Sequence, residues 1–141
     1  MNTKPTTRTS DESPSAFQWN QGGWFGALLG GTCWMPLTAG VVAGADALAA
    51  GLVLLFYVAA IFYGIRLWKR RADLPPYPAI QRLITVEGLC ALAAVVSLHL
   101  RDAWQFLPET GRAPIWTMYA ALLIFPAMLV KFHLQERAAR S

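Results

Sequence analysis

Glu87 is the residue of this sequence that is best placed to do chemistry, because it interrupts the long apolar run 83–100. A carboxylate inside a membrane helix has to be paired, hydrated or protonated, since lipid supplies neither a hydrogen bond nor a counter-ion. Cys90 and Ala94 follow Glu87 at helical spacing and are small, so we predict that this face contacts another helix and not lipid. The expected contact is the first apolar run, where Thr32 lies at the same depth.

Three roles for Glu87 follow from its position. In the first role it is structural, and a nearby base or hydrogen-bond donor satisfies it. The candidate partners are Arg66, Arg82, Lys131, Thr32, Trp34 and Thr85. In the second role Glu87 takes up and releases a proton during transport or conduction, and in the third it pairs with a ligand cation or a partner subunit.

Cys33 and Cys90 complete a candidate intramembrane polar site with Glu87 and Thr32, because the two cysteines are expected at nearly the same depth. Their spacing matches no CxxC or zinc motif, and two thiols alone do not make a typical metal site. A free cysteine in an apolar helix is usually a small packing residue. We therefore expect no metal ion and no redox role.

The two histidines give no stronger indication of catalysis or of a cofactor. His99 lies at the outer end of the third apolar run and His133 at the inner end of the fourth, so a single haem cannot bridge them within one subunit. The sequence also shows no cluster of a nucleophile with a base. The expectation is a protein without a cofactor and without enzyme activity.

The elements that hold these residues are predicted from composition. Hydrophobic residues make up 55% of the 141 residues and charged residues only 14%, against roughly a quarter in ordinary soluble domains. The apolar residues form four runs, predicted as spans at about 24–45, 47–66, 81–100 and 113–132. Each approaches the roughly 17 to 25 residues that a helix needs to cross a bilayer. The sequence therefore predicts an all-α integral membrane protein, a bundle of four transmembrane helices.

The distribution of Lys and Arg predicts the orientation of this bundle. Ten of the twelve basic residues fall in the N-terminal tail, in the connector 66–82 and at the C-terminal end. The connector carries the basic cluster that sets the topology, which is Arg66, Lys69, Arg70, Arg71 and Arg82. By the positive-inside rule both termini are expected in the cytoplasm, with the protein in a bacterial inner membrane or a plasma membrane. The expected partner of these charges is anionic lipid, not nucleic acid.

The remaining segments are short. Residues 1–15 are polar, so we predict that they form a disordered cytoplasmic tail. Residues 16–134 are predicted to form the transmembrane domain, and residues 135–141 a short cytoplasmic end that frays. Within the connector, the prolines at 75, 76 and 78 predict an extended chain before the third helix begins near Ala79. Ala43, Gly44 and Ala45 resemble a signal-peptidase site, and cleavage there would leave three spans.

Small residues in the first span predict a helix-packing face, formed by Gly22, Gly26, Gly30 and Gly31. Glycines spaced by four let another helix approach closely, either within the chain or in a second copy. Pro36 and Pro126 remove backbone donors and predict a kink in the first and fourth spans.

Four spans in a chain of this length are common to many unrelated membrane proteins, so the number of spans names no family. The expected function is that of a small non-catalytic membrane protein that acts through helix association, as a homo-oligomer or as an accessory or scaffold subunit beside another membrane protein. The alternative is a small proton- or cation-coupled transporter or channel that uses Glu87.

Overall fold

The structure, a computed structural model, describes residues 15–107 and 114–141, and within these ranges the chain forms helices and no strand. The α-helices are α1 (Gln21–Thr32), α2 (Trp34–Val42), α3 (Ala47–Lys69), α4 (Pro76–Leu100), α5 (Trp116–Ala121) and α6 (Ile124–Arg140). A short 3₁₀ helix, Ala103–Phe106, follows α4.

Four helical segments are long and apolar enough to cross a membrane, which confirms the predicted number. The first span is α1 with α2, the second is α3, the third is α4, and the fourth is α5 with α6. They cover Gln21–Val42, Ala47–Lys69, Pro76–Leu100 and Trp116–Arg140. The third span begins earlier than expected and the fourth ends later.

The first and fourth spans are each interrupted close to a proline. α1 ends at Thr32 and α2 begins at Trp34, four and two residues before Pro36. α5 ends at Ala121 and α6 begins at Ile124, again just before a proline, Pro126. A proline leaves the carbonyl four residues earlier without its backbone donor. The helices are thus interrupted close to the two positions where kinks were predicted.

Small residues dominate the core where α2, α3 and α4 meet. Ala49 and Ala50 of α3 and Ala91 and Ala94 of α4 are all buried, with at most 4% of each exposed. Helices that present alanine can approach closely, and close packing is what holds helices together where the surroundings are apolar. The second and third spans accordingly form the most extensive contact in the molecule.

Gly64 of α3 marks a close approach beside a second cluster of buried residues, which includes Leu28 and Leu83. A Cβ at this position would lie 2.7 Å from both terminal methyl carbons of Leu28 in α1, and 3.2 Å from one in Leu83 of α4. Both leucines are buried. The three spans therefore meet at a point where only a glycine fits without displacement.

The prediction of an extended segment before α4 is wrong. α4 begins at Pro76, so that Pro76 and Pro78 both lie in its first turn, and only Pro75 has an extended backbone, with φ −62° and ψ 144°. The first backbone N–H groups of a helix have no partner inside it, so a proline there loses nothing. Ala79 already donates a backbone hydrogen bond to the carbonyl of Pro75, at 3.3 Å.

The expectation that residues 135–141 fray is also wrong, because α6 continues to Arg140. Glu136 is buried and accepts hydrogen bonds at 3.1 Å from the hydroxyl of Ser15 and from the backbone N–H of Ala16. Arg140 donates to its other oxygen at 2.8 Å. The prediction of a disordered tail lies outside the described residues except at Ser15, which this carboxylate holds.

Candidate functional site

A cavity of about 660 Å³ lies between the first and fourth spans, with the third span as its floor. Gly26 and Gly30 of α1 line one side and Met118 and Phe125 of the fourth span line the other. Glu87 of α4 belongs to the floor. The gap exists because the fourth span packs mainly against α4.

Glu87 is buried in this cavity, with 3% of the residue exposed. Its Oε1 atom has no hydrogen-bond partner in the part of the chain that the structure describes. A buried polar atom without a partner is rare in folded proteins and is costly, more so when it is charged. Glu87 is therefore an uncompensated residue in the lining of a space that could hold a ligand.

The donors that were expected to satisfy Glu87 are engaged elsewhere. The hydroxyl of Thr32 donates to the carbonyl of Leu28, at 2.6 Å. The indole N–H of Trp34 donates to the carbonyl of Gly31, at 3.1 Å. The hydroxyl of Thr85 likewise bonds a backbone carbonyl of its own helix. Within the described ranges, none of the expected basic residues forms an ion pair with Glu87.

Glu87 does point at the first span, as its position and helical face predicted. A Cβ placed on Gly31 would lie 2.7 Å from Oε2 of Glu87 and 3.6 Å from the ring of Phe125. The missing side chain at Gly31 is thus what lets the carboxylate fit between α4 and α1.

Two aromatic rings line the cavity together with Glu87. Trp34 is oriented by its bond to the Gly31 carbonyl, and Phe125 packs against Gly88, where a Cβ would lie 3.1 Å from two of its carbons. The sequence reasoning missed Phe125 and Gly88 as parts of this site. A glycine next to the only acid of the run was a signal that could have indicated a close neighbour there.

The predicted helix-packing face is divided in the structure. Gly26 and Gly30 are exposed and have no atom within 4 Å of the position of a Cβ, and Gly22 is near only its own N-cap residue, Asn20. Gly31 faces Glu87 instead. Among the residues that the structure describes, Gly26 and Gly30 therefore serve no close packing.

The other residues of the predicted polar site lie in different surroundings. Thr32 is fully buried, and its hydroxyl donates to a backbone carbonyl of its own helix. Cys33 is exposed, and Cys90 packs beside the alanine core. Both cysteines are free thiols. Across the described ranges, no three His, Cys, Asp or Glu side chains are grouped so that they could hold a metal ion.

The basic cluster lies at one end of the bundle, and all five of its side chains are exposed. Next to it is a group of aromatic rings around Trp68, whose face is covered by the guanidinium of Arg71 at 5.0 Å from the ring centroid. Trp19 lies edge-on to Trp68 and Trp24 is tilted against it, with ring centroids 5.6 and 6.1 Å away. Trp24 also donates its indole N–H to the carbonyl of Gly64, at 3.2 Å.

An ion pair closes the opposite end. Asp46 is the N-cap of α3, accepting from the backbone N–H of Ala49 at 2.9 Å, and its other oxygen accepts from the Nε of Arg101 at 2.7 Å. The hydrogen bond from Arg101 and that from Ala49 hold the pKa of Asp46 below its ordinary value. Arg101, which directly follows α4, thereby joins the third span to the second.

No family model, no curated protein and no solved structure matches this chain. One arrangement among the described residues could bind a ligand. It is a buried carboxylate, with one oxygen that has no hydrogen-bond partner, in a largely apolar cavity with two aromatic rings. Such a site can bind a cation or a hydrogen-bond donor.

Proposed function

We propose that the chain is an integral membrane protein with both termini on the cytoplasmic side. Large apolar side chains point outward from every span, including Leu37, Phe62, Leu89 and Leu123, each with more than 60% of its surface exposed. Soluble monomers rarely expose so much apolar surface, whereas lipid covers it at no cost. The exposed basic cluster at one end supports the cytoplasmic side for that end.

Within the membrane, the protein acts through helix association, and the observation that carries this proposal is the open glycine face. Gly26 and Gly30 are exposed with no atom near them, while the close contacts inside the chain use Gly31, Gly64 and Gly88. A flat face of this kind is complementary to itself, so a second copy of the chain is the partner we propose. A helix on this face would cover the mouth of the cavity beside it.

Substitution of the open glycines tests this proposal. Leucine at Gly26 or Gly30 separates two approaching backbones, so the homo-oligomer should dissociate to monomers in native mass spectrometry or light scattering. Gly40→Leu is the matched control, because Gly40 lies on the same span and is equally open. A wild-type protein that is monomeric alone but purifies with another polypeptide would support an accessory subunit. A monomer without a partner would refute association.

A second candidate function is coupled transport through Glu87, favoured by the lone Oε1 atom in the cavity. Protonation of a buried carboxylate removes its charge, so uptake and release of a proton or cation could drive a transport cycle. Proton or cation flux into liposomes should fall in Glu87→Gln. The control is Asp46→Asn, which removes the same charge outside the cavity. Flux that is absent from the wild type, or equal in both variants, contradicts this candidate.

A further inference from the structure

Glu87 in the floor of the cavity determines which chemical group a ligand must present there. The Oε1 atom is buried without a donor among the described residues. The described arginines that do form ion pairs use other acids, since Arg101 bonds Asp46 and Arg140 bonds Glu136. A carboxylate so placed is best compensated by an N–H donor that also carries positive charge.

The residues in the walls of the cavity determine the chemistry of the rest of the ligand. Trp34 and Phe125 present aromatic rings to the same space as Glu87, and an ammonium group near such rings is attracted by their electron-rich faces. Met118 and Met128 add flexible thioether side chains, which adapt to ligands of different shapes. Only Thr38 adds a further hydroxyl. A polar head at Glu87 must therefore be attached to an apolar body.

The size and the opening of the cavity suit a small molecule that arrives through the bilayer. A volume of about 660 Å³ falls within the roughly 300 to 1,000 Å³ of typical ligand sites. Exposed residues of both neighbouring spans border it, namely Ala27 and Gly30 on one side and Ala121 and Ile124 on the other. The entrance is therefore on the side of the bundle, between the first and fourth spans.

We propose that this cavity binds a lipophilic ammonium ion, whose N–H group bonds Oε1 of Glu87 while its apolar body lies between the first and fourth spans. The rings of Trp34 and Phe125 flank the charged head. The inference specifies the ligand of the second candidate function and uses the same residue, Glu87. It does not require helix association, because every residue of the site comes from one chain; a second copy on Gly26 and Gly30 would cover the entrance, so the ligand enters a chain that is not associated.

Binding can be measured with defined probes in lipid nanodiscs. Decylammonium is titrated calorimetrically into nanodiscs with and without protein, so that partition into lipid is subtracted. We expect a saturable component with one probe per chain. Decanol, which has the same chain length without the charge, should show no such component. Glu87→Gln should weaken decylammonium binding about tenfold or more, since it removes a charged hydrogen-bond acceptor.

Two further variants separate binding from folding. Asp46→Asn removes one negative charge at a distance and should leave the affinity unchanged. Ala121→Phe fills the entrance while leaving Glu87 in place; Ala121 is exposed, so the fold should persist and the affinity should fall. Equal binding of decanol, or unchanged affinity in Glu87→Gln or in Ala121→Phe, would overturn the proposal. Flux of protons without ammonium binding would overturn the ligand assignment and leave coupled transport standing.

Discussion

Gly64 contributes to stability through the atoms it lacks. The methyl groups of Leu28 and the side chain of Leu83 occupy the space of a side chain there, and both leucines are too buried to move aside cheaply. Gly64→Ala should therefore lower the free energy of unfolding by about 1 to 3 kcal/mol, the usual cost of overpacking a core. Thermal or denaturant unfolding in detergent micelles measures this.

Gly51 provides the matched control on the same helix. It is exposed, and no atom lies within 4 Å of the position of its Cβ. Alanine is favoured over glycine inside a helix, so Gly51→Ala should leave stability unchanged or raise it by up to about 1 kcal/mol. Equal effects of the two substitutions would contradict the close contact at Gly64.

Asp46 should make stability depend on acid. Its pKa is lowered by Arg101 and by the N–H of Ala49, so its carboxylate stabilises the fold at any pH above its unfolded pKa. That value is about 3.9, and the stabilisation is lost as the pH falls from about 5 through the lower pKa of the folded state. Asp46→Asn keeps a good N-cap but removes the ion pair.

The melting temperature, measured as a function of pH, tests whether Asp46 stabilises the fold at neutral pH and loses this effect in acid. Asp46→Asn should melt below the wild type at neutral pH, and the difference should shrink as the pH falls below about 4. Asp73→Asn, in the exposed connector, should follow the wild-type curve throughout. A difference between wild type and Asp46→Asn that is independent of pH would show that the pair does not contribute through charge.

At the scale of elements, the sequence predicted what depends on local pattern. Apolar runs predicted four long helices, Pro36 and Pro126 predicted kinks close to the two interruptions, and the small residues around Glu87 predicted its contact with the first span. Each follows from spacing along one helix. The beginning of α4 was missed because its prolines were assigned to an extended segment, whereas a first turn accepts them as well.

Contacts between elements could be predicted only in part, because they depend on how the spans are arranged. A single glycine such as Gly64 has no repeat to mark it, and nothing in the sequence places Leu28 opposite it. Phe125 likewise joins the cavity only because the fourth span lies against α4. Glu136 was assigned to a fraying end since its donors, Ser15 and Ala16, are at the other end of the chain.

The last turns of α6 depend on that distant contact. Glu136→Ala removes the acceptor for the backbone N–H of Ala16 and the partner of Arg140. Hydrogen exchange followed by mass spectrometry should therefore show faster exchange at Ala16 and over the end of α6. Gln135→Ala, at an exposed neighbouring position, should leave exchange unchanged. Unaltered exchange in Glu136→Ala would mean that other contacts hold this end.

At the scale of the whole molecule, the three spans that share the alanine core and Gly64 form a compact group, and the fourth adds to one side of it. In the most apolar stretch of the fourth span only 6% of the residues are buried, against 28 to 39% in the corresponding stretches of the other three spans. This unequal packing leaves the cavity open beside α1 and leaves Gly26 and Gly30 uncovered. One feature of the arrangement thus accounts for both the ligand site and the association face.

The orientation of the whole bundle is the last prediction. Ten of the twelve basic residues belong to the N-terminal tail, the connector and the C-terminal end of the sequence, and by the positive-inside rule we expect such an excess to keep those segments in the cytoplasm. Single cysteines can report this in a background where Cys33 and Cys90 are replaced by alanine. In intact cells, an impermeant maleimide should label Gln105→Cys, which is exposed after α4, and should label Ser141→Cys only after permeabilisation. The reverse pattern would show that the bundle is inverted, and labelling of both from outside would show that the fourth segment does not cross the membrane.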